Sequence, residues 1–322
     1  LGNVLLVSPL LTSYCLLARR ASGPGSENRG YGEFELELTK TALFGIKPSL
    51  GDPIAMTLKN LGLLSLNVGL GLTSFFSTAQ AETPLAPDLA AVVAATQEAH
   101  GLQAWWEKEV VLADVEIVFG GNTIVDGTFS FEAHGPRARY DRKDGTSVIF
   151  DGQTAWVSPA EAEAPKGRFH VLTWPWFIMA PFKMQGDGIN LSDLDSAEVD
   201  GTRYQTVFQT FGEDMGDTPD DWYRFYLDPK TKLVDGMAYI VTFGKDLETA
   251  NEKPSIIKYF DYVDAEGPVI ATRYEFWYWD SEQHAVVGDA PKGVGTVSNV
   301  RYSRKQAVDF SVPADARELP LK

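Results

Sequence analysis

The sequence predicts a mainly β (α+β) fold, with a curved antiparallel sheet of about eleven strands, a leading helix and a short lid-like helical segment. The first observation is that apolar and polar residues alternate between turn dipeptides over residues 126–159. The second is that the same alternation returns over residues 204–310, between turns rich in Asp and Gly. The third is that no strand alternates with a long helix, which argues against a parallel α/β sheet. We therefore expect one antiparallel domain.

The leading helix is predicted at residues 82–98. Its apolar residues, from Leu85 to Val93, recur at helical spacing and so share one face. Gly101 is suited to end the helix. The apolar period then changes to two, which predicts a strand over residues 110–119.

Four strands with a turn signal between each pair are predicted over residues 126–159. Phe129 and Phe131 alternate with polar residues in the first of them. The dipeptide Asp144-Gly145 marks a hairpin, because both central positions of that turn need positive φ. This stretch is expected to form an antiparallel meander with one apolar face.

Residues 169–184 are the least strand-like part of the domain, since apolar residues occur on every side. Pro175 and Pro181 bound a segment at residues 176–180 that is predicted to form at most one or two helical turns. A polar link rich in Gly and Asp is expected at residues 185–200.

The second half of the chain is predicted to return to strands. Its strands are expected at residues 204–210, 222–227, 233–243, 256–263, 269–279, 294–302 and 308–310. Between the first two lies an acidic loop, residues 211–221. Its carboxylate spacing does not match a calcium loop, so we expect a solvated loop.

Residues 56–81 contain all the parts of a secretory signal. Lys59 supplies the positive charge, residues 61–76 are uncharged and largely apolar, and Ala79 and Ala81 flank a small-x-small cleavage site. A membrane anchor is the alternative, because the uncharged run approaches the length of a span. A spanning helix needs about 20 predominantly apolar residues, however, and this run is shorter and interrupted by polar ones.

The signal divides the chain into three regions. Residues 1–55 are interpreted as translated upstream sequence without structure, residues 56–81 as a cleaved signal, and residues 82–322 as a single exported domain in the periplasm, with no stable membrane anchor. Cys15 is the only cysteine, so the exported domain would contain no thiol. Disulfides, cysteine nucleophiles and thiolate metal sites are then excluded.

Charge and motifs exclude further classes. The chain has 28 Lys and Arg against 44 Asp and Glu, a formal charge of −16. Such an acidic surface repels phosphate backbones, and no nucleic-acid partner is expected. The four histidines show no paired spacing typical of zinc, and no G-x-S-x-G or phosphate-binding loop occurs in the exported region. We expect no catalytic residue, no metal and no cofactor.

Dense aromatic residues are the strongest functional signal. Core packing explains them in part, and the other interpretation is a partly open apolar cavity closed by residues 174–184, where methionines suit variable apolar ligands. The candidate ligand-binding residues are Phe129, Phe131, Tyr140, Trp156, Trp176, Phe177, Met179, Phe182, Tyr223, Phe225, Tyr274 and Phe276.

Three motifs carry a resemblance to a known family. They are G-x-F-x-F-x-x-x-G-P-R-x-R-Y at residues 127–140, I-F-D-G-Q-T-A-W-V at 149–157, and D-F-S-V-P at 309–313. With the order of elements, residues 85–313 resemble the bacterial periplasmic lipoprotein-carrier (Lol-type half-barrel) superfamily, and most closely its uncharacterised exported relatives. The resemblance implies an unclosed half-barrel whose concave apolar face is covered by helices and binds acyl chains.

One functional position of the carriers is not matched. The arginine that precedes the proline of the second meander strand is replaced here by His134 and Gly135 before Pro136. We therefore expect an exported, non-enzymatic binder of a lipid, an acylated protein or another apolar ligand, with another envelope protein as a possible partner. The alternatives are an exported hydrolase of envelope material with paired carboxylates, and a structural or partner-binding module.

Overall fold

The structure is a computed structural model, and it describes residues 14–20, 34–40, 87–213 and 215–321. The chain divides into two units, Leu1–Ser77 and Thr78–Lys322. The predicted signal at residues 56–81 lies outside the described residues.

The first unit contains one described hairpin. Strand β1 (Tyr14–Arg20) pairs antiparallel with strand β2 (Phe34–Lys40). Both strands lie within residues 1–55, and the interpretation of that stretch as translated upstream sequence stays a prediction.

The second unit begins with two helices, α1 (Pro87–Ala99) and α2 (Leu102–Trp106). Gly101 separates them at φ 75°, a conformation that favours glycine. A side chain there would place its Cβ 2.3 Å from the carbonyl oxygen of Gly267. Among the described residues, no helix is both long and apolar enough to cross a membrane.

His100, just after α1, joins this helix to the sheet. It is fully buried, and its Nε2 accepts the backbone N–H of Val234 at 3.0 Å. Nδ1 therefore carries the proton and donates it to the carbonyl oxygen of Val269 at 3.0 Å. Burial lowers the pKa of His100 to about 4, so the ring is neutral at pH 7.

The predicted meander is present. It consists of β3 (Val110–Phe119), β4 (Asn122–Glu132), β5 (Ala138–Arg142), β6 (Ser147–Phe150) and β7 (Ala155–Ser158), each antiparallel to the next. Phe129 lies opposite Tyr140, and their rings stack with centroids 4.3 Å apart. This cross-strand pair fixes the buried face of the meander.

The lid-like segment is longer than predicted. It forms helix α3 (Gly167–Met179), followed by a 3-10 turn at Ala180–Lys183. Pro175 lies inside α3 and cannot donate a hydrogen bond to the carbonyl of Val171. The helix continues through the proline because burial of Val171, Trp174 and Phe177 favours the helical face.

The second half completes the sheet. Its elements are β8 (Ile189–Val199), β9 (Thr202–Phe211), β10 (Tyr223–Leu227), β11 (Val234–Tyr239), α4 (Leu247–Asn251), β12 (Ser255–Asp264), β13 (Val269–Asp280), β14 (Ala285–Val287), β15 (Gly293–Ser303), a 3-10 turn at Lys305–Ala307 and β16 (Arg317–Leu319).

The sheet has fourteen strands in the order β16-β7-β6-β5-β4-β3-β15-β13-β12-β11-β10-β9-β8, with β14 paired to β13 outside this path. Neighbours are antiparallel. The end strands β16 and β8 each pair on one side only within the described residues, so the sheet is not closed into a barrel. The mainly β prediction and the open sheet are confirmed.

Three details of the strand prediction are wrong. Residues 185–200, expected as a polar link, contain β8; it is polar because it is an edge strand and exposed along much of its length. Residues 308–310 are not a strand, and the last strand is β16 instead. With β14 added, the sheet therefore exceeds the expected eleven strands.

Helix α3 packs across one face of the sheet, called here the covered face. The ring centroids of Trp174 and Phe276 are 5.8 Å apart, and those of Phe177 and Tyr239 are 5.1 Å apart. Tyr259 also donates its hydroxyl to the carbonyl oxygen of Phe177 at 3.2 Å. These contacts hold α3 over β11, β12 and β13.

Candidate functional site

A cavity of about 260 Å³ lies between α3 and the covered face. It sits at the end of the sheet where β9 ends, β10 begins and β11 ends. Helix α3 presents a mostly apolar surface to it, made of Phe169, Leu172, Thr173, Trp176, Phe177 and Met179.

The sheet and its loops form the opposite wall. The strand ends contribute Phe211, Tyr223 and Tyr239, and the residues just after β11 contribute Val241 and Phe243. The loop between β9 and β10 closes one side with Met215, Asp217, Thr218 and Asp221. The cavity is therefore an apolar chamber with a few carboxyl and hydroxyl groups in its wall, as is typical of small-ligand sites.

Three rings of the wall pack around one another. The centroids of Trp176 and Phe211, of Trp176 and Tyr223, and of Phe211 and Tyr223 are all 5.7 Å apart. Their planes are tilted or perpendicular, the arrangement that aromatic quadrupoles favour. The cluster gives the cavity an aromatic corner made from one helix and two strands.

The polar atoms of this corner are not fully paired. Trp176 Nε1 is buried and has no hydrogen-bond partner among the described residues. Burial raises the pKa of Tyr223 well above its ordinary value, and the charge of Asp221 raises it further. The nearby Trp176 lowers the pKa of Tyr223, although its indole N–H does not reach hydrogen-bond geometry. This indole N–H therefore points into packed protein near the Tyr223 hydroxyl and is not presented to the cavity space.

The acidic loop is attached to α3 by an ion pair. Arg168 Nε and Nη2 donate to Asp217 Oδ2 and Oδ1 at 2.6 and 2.7 Å. Both side chains are largely buried, with 7% and 14% exposed. Arg168 Nη2 also donates to the carbonyl oxygen of Gln153 at 3.2 Å. The loop is therefore part of the cavity wall at Asp217, which the expectation of a solvated loop missed.

Asp221 is the second carboxylate of the wall and is 6% exposed. Its Oδ1 accepts the backbone N–H of Thr242 at 2.7 Å and the Thr242 hydroxyl at 2.8 Å. Burial raises the pKa of Asp221, the hydrogen bonds from Thr242 and from the Thr218 side chain oppose that shift, and the charge of Asp220 adds to it. No described Lys or Arg pairs with it.

His170 belongs to α3 and faces its own helix. Trp174 Nε1 donates to His170 Nδ1 at 3.1 Å, so the imidazole is in the tautomer protonated at Nε2. Burial, together with the positive charges of Lys166 and Arg142, lowers the pKa of His170 to about 4. The ring is neutral at pH 7 and serves α3 as a hydrogen-bond acceptor.

Four of the candidate binding residues line the cavity. They are Trp176, Phe177, Met179 and Tyr223. Phe177 lies mostly in the core, since 3% of it is exposed, whereas Trp176 and Met179 are partly exposed. The structure thus brings the helical and strand residues together at one place.

The other candidates lie elsewhere. Phe182 is buried and stacks on Trp105 with ring centroids 4.2 Å apart. Trp156 alternates with two buried residues of β7, so it faces the opposite side of the sheet, where its Nε1 donates to Asp151 Oδ2 at 2.9 Å. The remaining six are packed in the core, namely Phe129, Phe131, Tyr140, Phe225, Tyr274 and Phe276.

Several lining residues were not among the candidates. Phe169, Leu172 and Trp176 follow one another at spacings of three and four, which places them on one helical face, but Pro175 was taken as a boundary. Asp217 and Asp221 were assigned to a solvated loop. The helical spacing could have identified Phe169 and Leu172 as lining residues from the sequence. The burial of Asp217 and Asp221 depends on tertiary packing, which the sequence pattern does not indicate.

The comparisons with known proteins begin with sequence. Residues 169–287 match a family described as "Family of unknown function (DUF6503)". This segment contains every lining residue named above. No curated protein matches the chain.

Three solved structures are similar to the chain. A putative outer membrane lipoprotein-sorting protein domain from Vibrio parahaemolyticus is 9% identical, with a TM-score of 0.41, covering 69% of this chain and 95% of its own. A LolA superfamily protein from Nitrosomonas europaea is also 9% identical, with a TM-score of 0.41 and coverages of 67% and 93%. A DUF1329 family protein from Desulfovibrio piger is 13% identical, with a TM-score of 0.32 and coverages of 66% and 92%.

Proposed function

We propose that the protein is a non-enzymatic binder of a lipid, an acylated protein or another apolar ligand, and that the apolar part of the ligand occupies the cavity under α3. The observation that supports this most directly is the cavity itself, about 260 Å³ of space with an aromatic and aliphatic wall. The cavity is partly open to the surface, and a partly open apolar cleft with a few polar groups is the usual form of a small-ligand site.

The size of the cavity favours a single chain or ring. An engineered apolar cavity of about 150 Å³ binds benzene, so this cavity can hold a larger group. It is smaller than the pockets of about 300–1,000 Å³ that enclose drug-sized ligands. Each buried methylene contributes about 0.8 kcal/mol, so a short acyl chain gains several kcal/mol on entry.

The cavity wall favours binding over hydrolysis. Asp217 is held by Arg168, and Asp221 accepts two hydrogen bonds from Thr242. A paired-carboxylate hydrolase needs one carboxyl that protonates a leaving group and one that attacks or activates water. Carboxylates engaged in this way are structural parts of the wall, and we assign no catalytic role to them.

The proposed location is the periplasm, on the basis of the signal at residues 56–81. Cleavage after Ala81 would release residues 82–322, and another envelope protein could deliver or receive the ligand. Mass measurement of the exported protein tests this part, since a mature chain that begins before residue 82 contradicts it.

The binding proposal is tested by extraction and by probe uptake. Protein purified from its native envelope fraction should release a lipid detectable by mass spectrometry, and the delipidated protein should take up a neutral apolar fluorophore. Trp176→Ala should weaken probe binding about tenfold, because it removes a ring of about 150–250 Å² from the wall.

Trp106→Ala is the matched control. Trp106 is 58% exposed and lies outside the cavity, so its removal should leave probe binding unchanged. Absence of both co-purified lipid and probe uptake would overturn the proposal. Equal loss of binding in the two variants would show that the probe binds elsewhere.

A further inference from the structure

The polar end of the ligand can be assigned from the charges of the cavity wall. Resting on the proposed function, we infer that the ligand is a cationic amphiphile: one apolar chain that ends in an ammonium group, held with its charge beside Asp221 and the rings of Trp176, Phe211 and Tyr223.

Asp221 supplies the charge argument. It is 6% exposed and lines the cavity, and two hydrogen bonds from Thr242 hold its carboxylate in place. Buried carboxylates are normally paired with a cation, because an isolated buried charge is strongly disfavoured. Asp217 satisfies this rule through Arg168, whereas no described Lys or Arg forms an ion pair with Asp221. A ligand cation would complete the pair.

The aromatic corner supplies the second argument. The faces and edges of Trp176, Phe211 and Tyr223 meet at one side of the cavity, with pairwise centroid distances of 5.7 Å. Aromatic faces attract ammonium groups through their quadrupoles, and groups of such rings are the usual recognition element for quaternary ammonium ligands. A carboxylate ligand would be repelled by Asp221 and by the face of any ring it met.

The charge of the whole chain acts in the same direction. A formal charge of −16 raises the local concentration of cations and lowers that of anions. A fatty acid would therefore meet an unfavourable field before it reached the cavity, whereas an alkylammonium ion would be attracted.

Four probes with the same chain separate the possibilities: octylammonium, octyltrimethylammonium, octanol and octanoate, each titrated calorimetrically into the delipidated protein at pH 7 and low salt. We expect the better of the two cations to bind at least about tenfold more tightly than octanoate, with octanol between them. A preference for the trimethyl form assigns the larger role to the rings, and a preference for the primary amine assigns it to Asp221.

Asp221→Asn tests the carboxylate, because it removes the charge and keeps the shape. The affinity for the preferred cation should fall to within about twofold of that for octanol. Asp289→Asn is the matched control, since Asp289 is exposed, does not line the cavity and is not among the charges that act on Asp221, so this variant should retain the selectivity of the wild type.

The outcomes separate this inference from the proposed function. If none of the four probes binds, the cavity is not a ligand site and both fail. If octanoate or octanol binds as tightly as the cations, the inference fails and the proposed function stands. If Asp221→Asn keeps the cation preference, the carboxylate is not the recognition group. The wild-type comparison requires no variant, so it decides the charge preference even if Asp221→Asn does not fold.

Discussion

Arg168 Nε lies 2.6 Å from Asp217 Oδ2, and this ion pair joins α3 to the loop that precedes β10. Residues on two different elements of the cavity wall are therefore held together by one largely buried contact. Breaking it leaves a buried guanidinium without its carboxylate partner, with the carbonyl oxygen of Gln153 as its remaining acceptor. Such a loss typically destabilises a protein by about 3–5 kcal/mol.

We accordingly expect Asp217→Ala to lower the free energy of unfolding by about 3 kcal/mol, measured by urea denaturation. Asp126→Ala is the control, because Asp126 pairs with Lys143, which is 74% exposed. That exposed pair should contribute less than about 1 kcal/mol. Similar effects for the two variants would mean that the Arg168 pair is as well solvated as the surface pair.

Phe177 and Trp176 are neighbours on α3 with different roles. Phe177 packs on Tyr239 and Phe276 and is 3% exposed, so Phe177→Ala should lower stability by about 3–5 kcal/mol. Trp176 is partly exposed in the cavity, so Trp176→Ala should reduce stability less and probe binding more. Thermal unfolding and probe titration on both variants check this separation, and the reverse ranking of stabilities would contradict it.

His100 makes stability depend on pH in a defined window. Its pKa is about 4 in the folded protein against an ordinary 6.5, so the unfolded chain binds the additional proton between these values. The contribution of neutral His100 to the free energy of unfolding is complete above about pH 6.5. It is lost as the pH falls toward 4, by about 3 kcal/mol at most. Urea unfolding at pH 7 and pH 5 should show the loss.

His170 has the same window and must be removed to isolate His100. The pKa values of His134 and His284 are also lowered, so the remaining decline between pH 7 and pH 5 is assigned to His100 only in a background that carries His134→Asn, His170→Asn and His284→Asn. An NMR titration in which the His100 imidazole resonances of the folded protein shift near pH 6.5 would contradict the lowered pKa of this buried ring.

Gly101 is expected to resist substitution for two reasons. Its φ of 75° disfavours other residues, and a Cβ would lie 2.3 Å from the carbonyl oxygen of Gly267. Gly145 has a similar φ of 89° with no atom within 4 Å of its Cβ position. Gly101→Ala should therefore destabilise by clearly more than the roughly 1 kcal/mol expected for Gly145→Ala, as measured by thermal unfolding. Equal effects would mean that the backbone yields at Gly267.

The meander was predictable because its signals are local. Alternation around Phe129 and the dipeptide Asp144-Gly145 determine strand face and turn within a few residues. Strand β8 was not predictable in this way, since an edge strand has little apolar surface and its sequence resembles a polar link. Residues 189–199 form a strand because they pair with β9, and their own composition does not indicate one.

The candidate site was predicted only in part. Trp176, Met179 and Tyr223 could be named because large apolar side chains near a predicted lid suggest a cavity. Phe129 and Phe276 are also large apolar side chains, but neighbouring core residues occupy the space around them. Whether the space beside an aromatic ring is filled or open depends on packing distances. Asp221 could not be assigned, because its burial arises from the contact with Thr242 in a different segment.

Strand β15 pairs with β13 on one side and with β3 on the other, and so joins the two halves of the sheet. A chain made or threaded from its N-terminus therefore has two unsatisfied strand edges, on β3 and β13, until residues 293–303 emerge. Long-range pairing of this kind slows folding and leaves edges that can pair with other chains. During synthesis, the edges of β3 and β13 therefore stay open to pairing with other chains until residues 293–303 have been released.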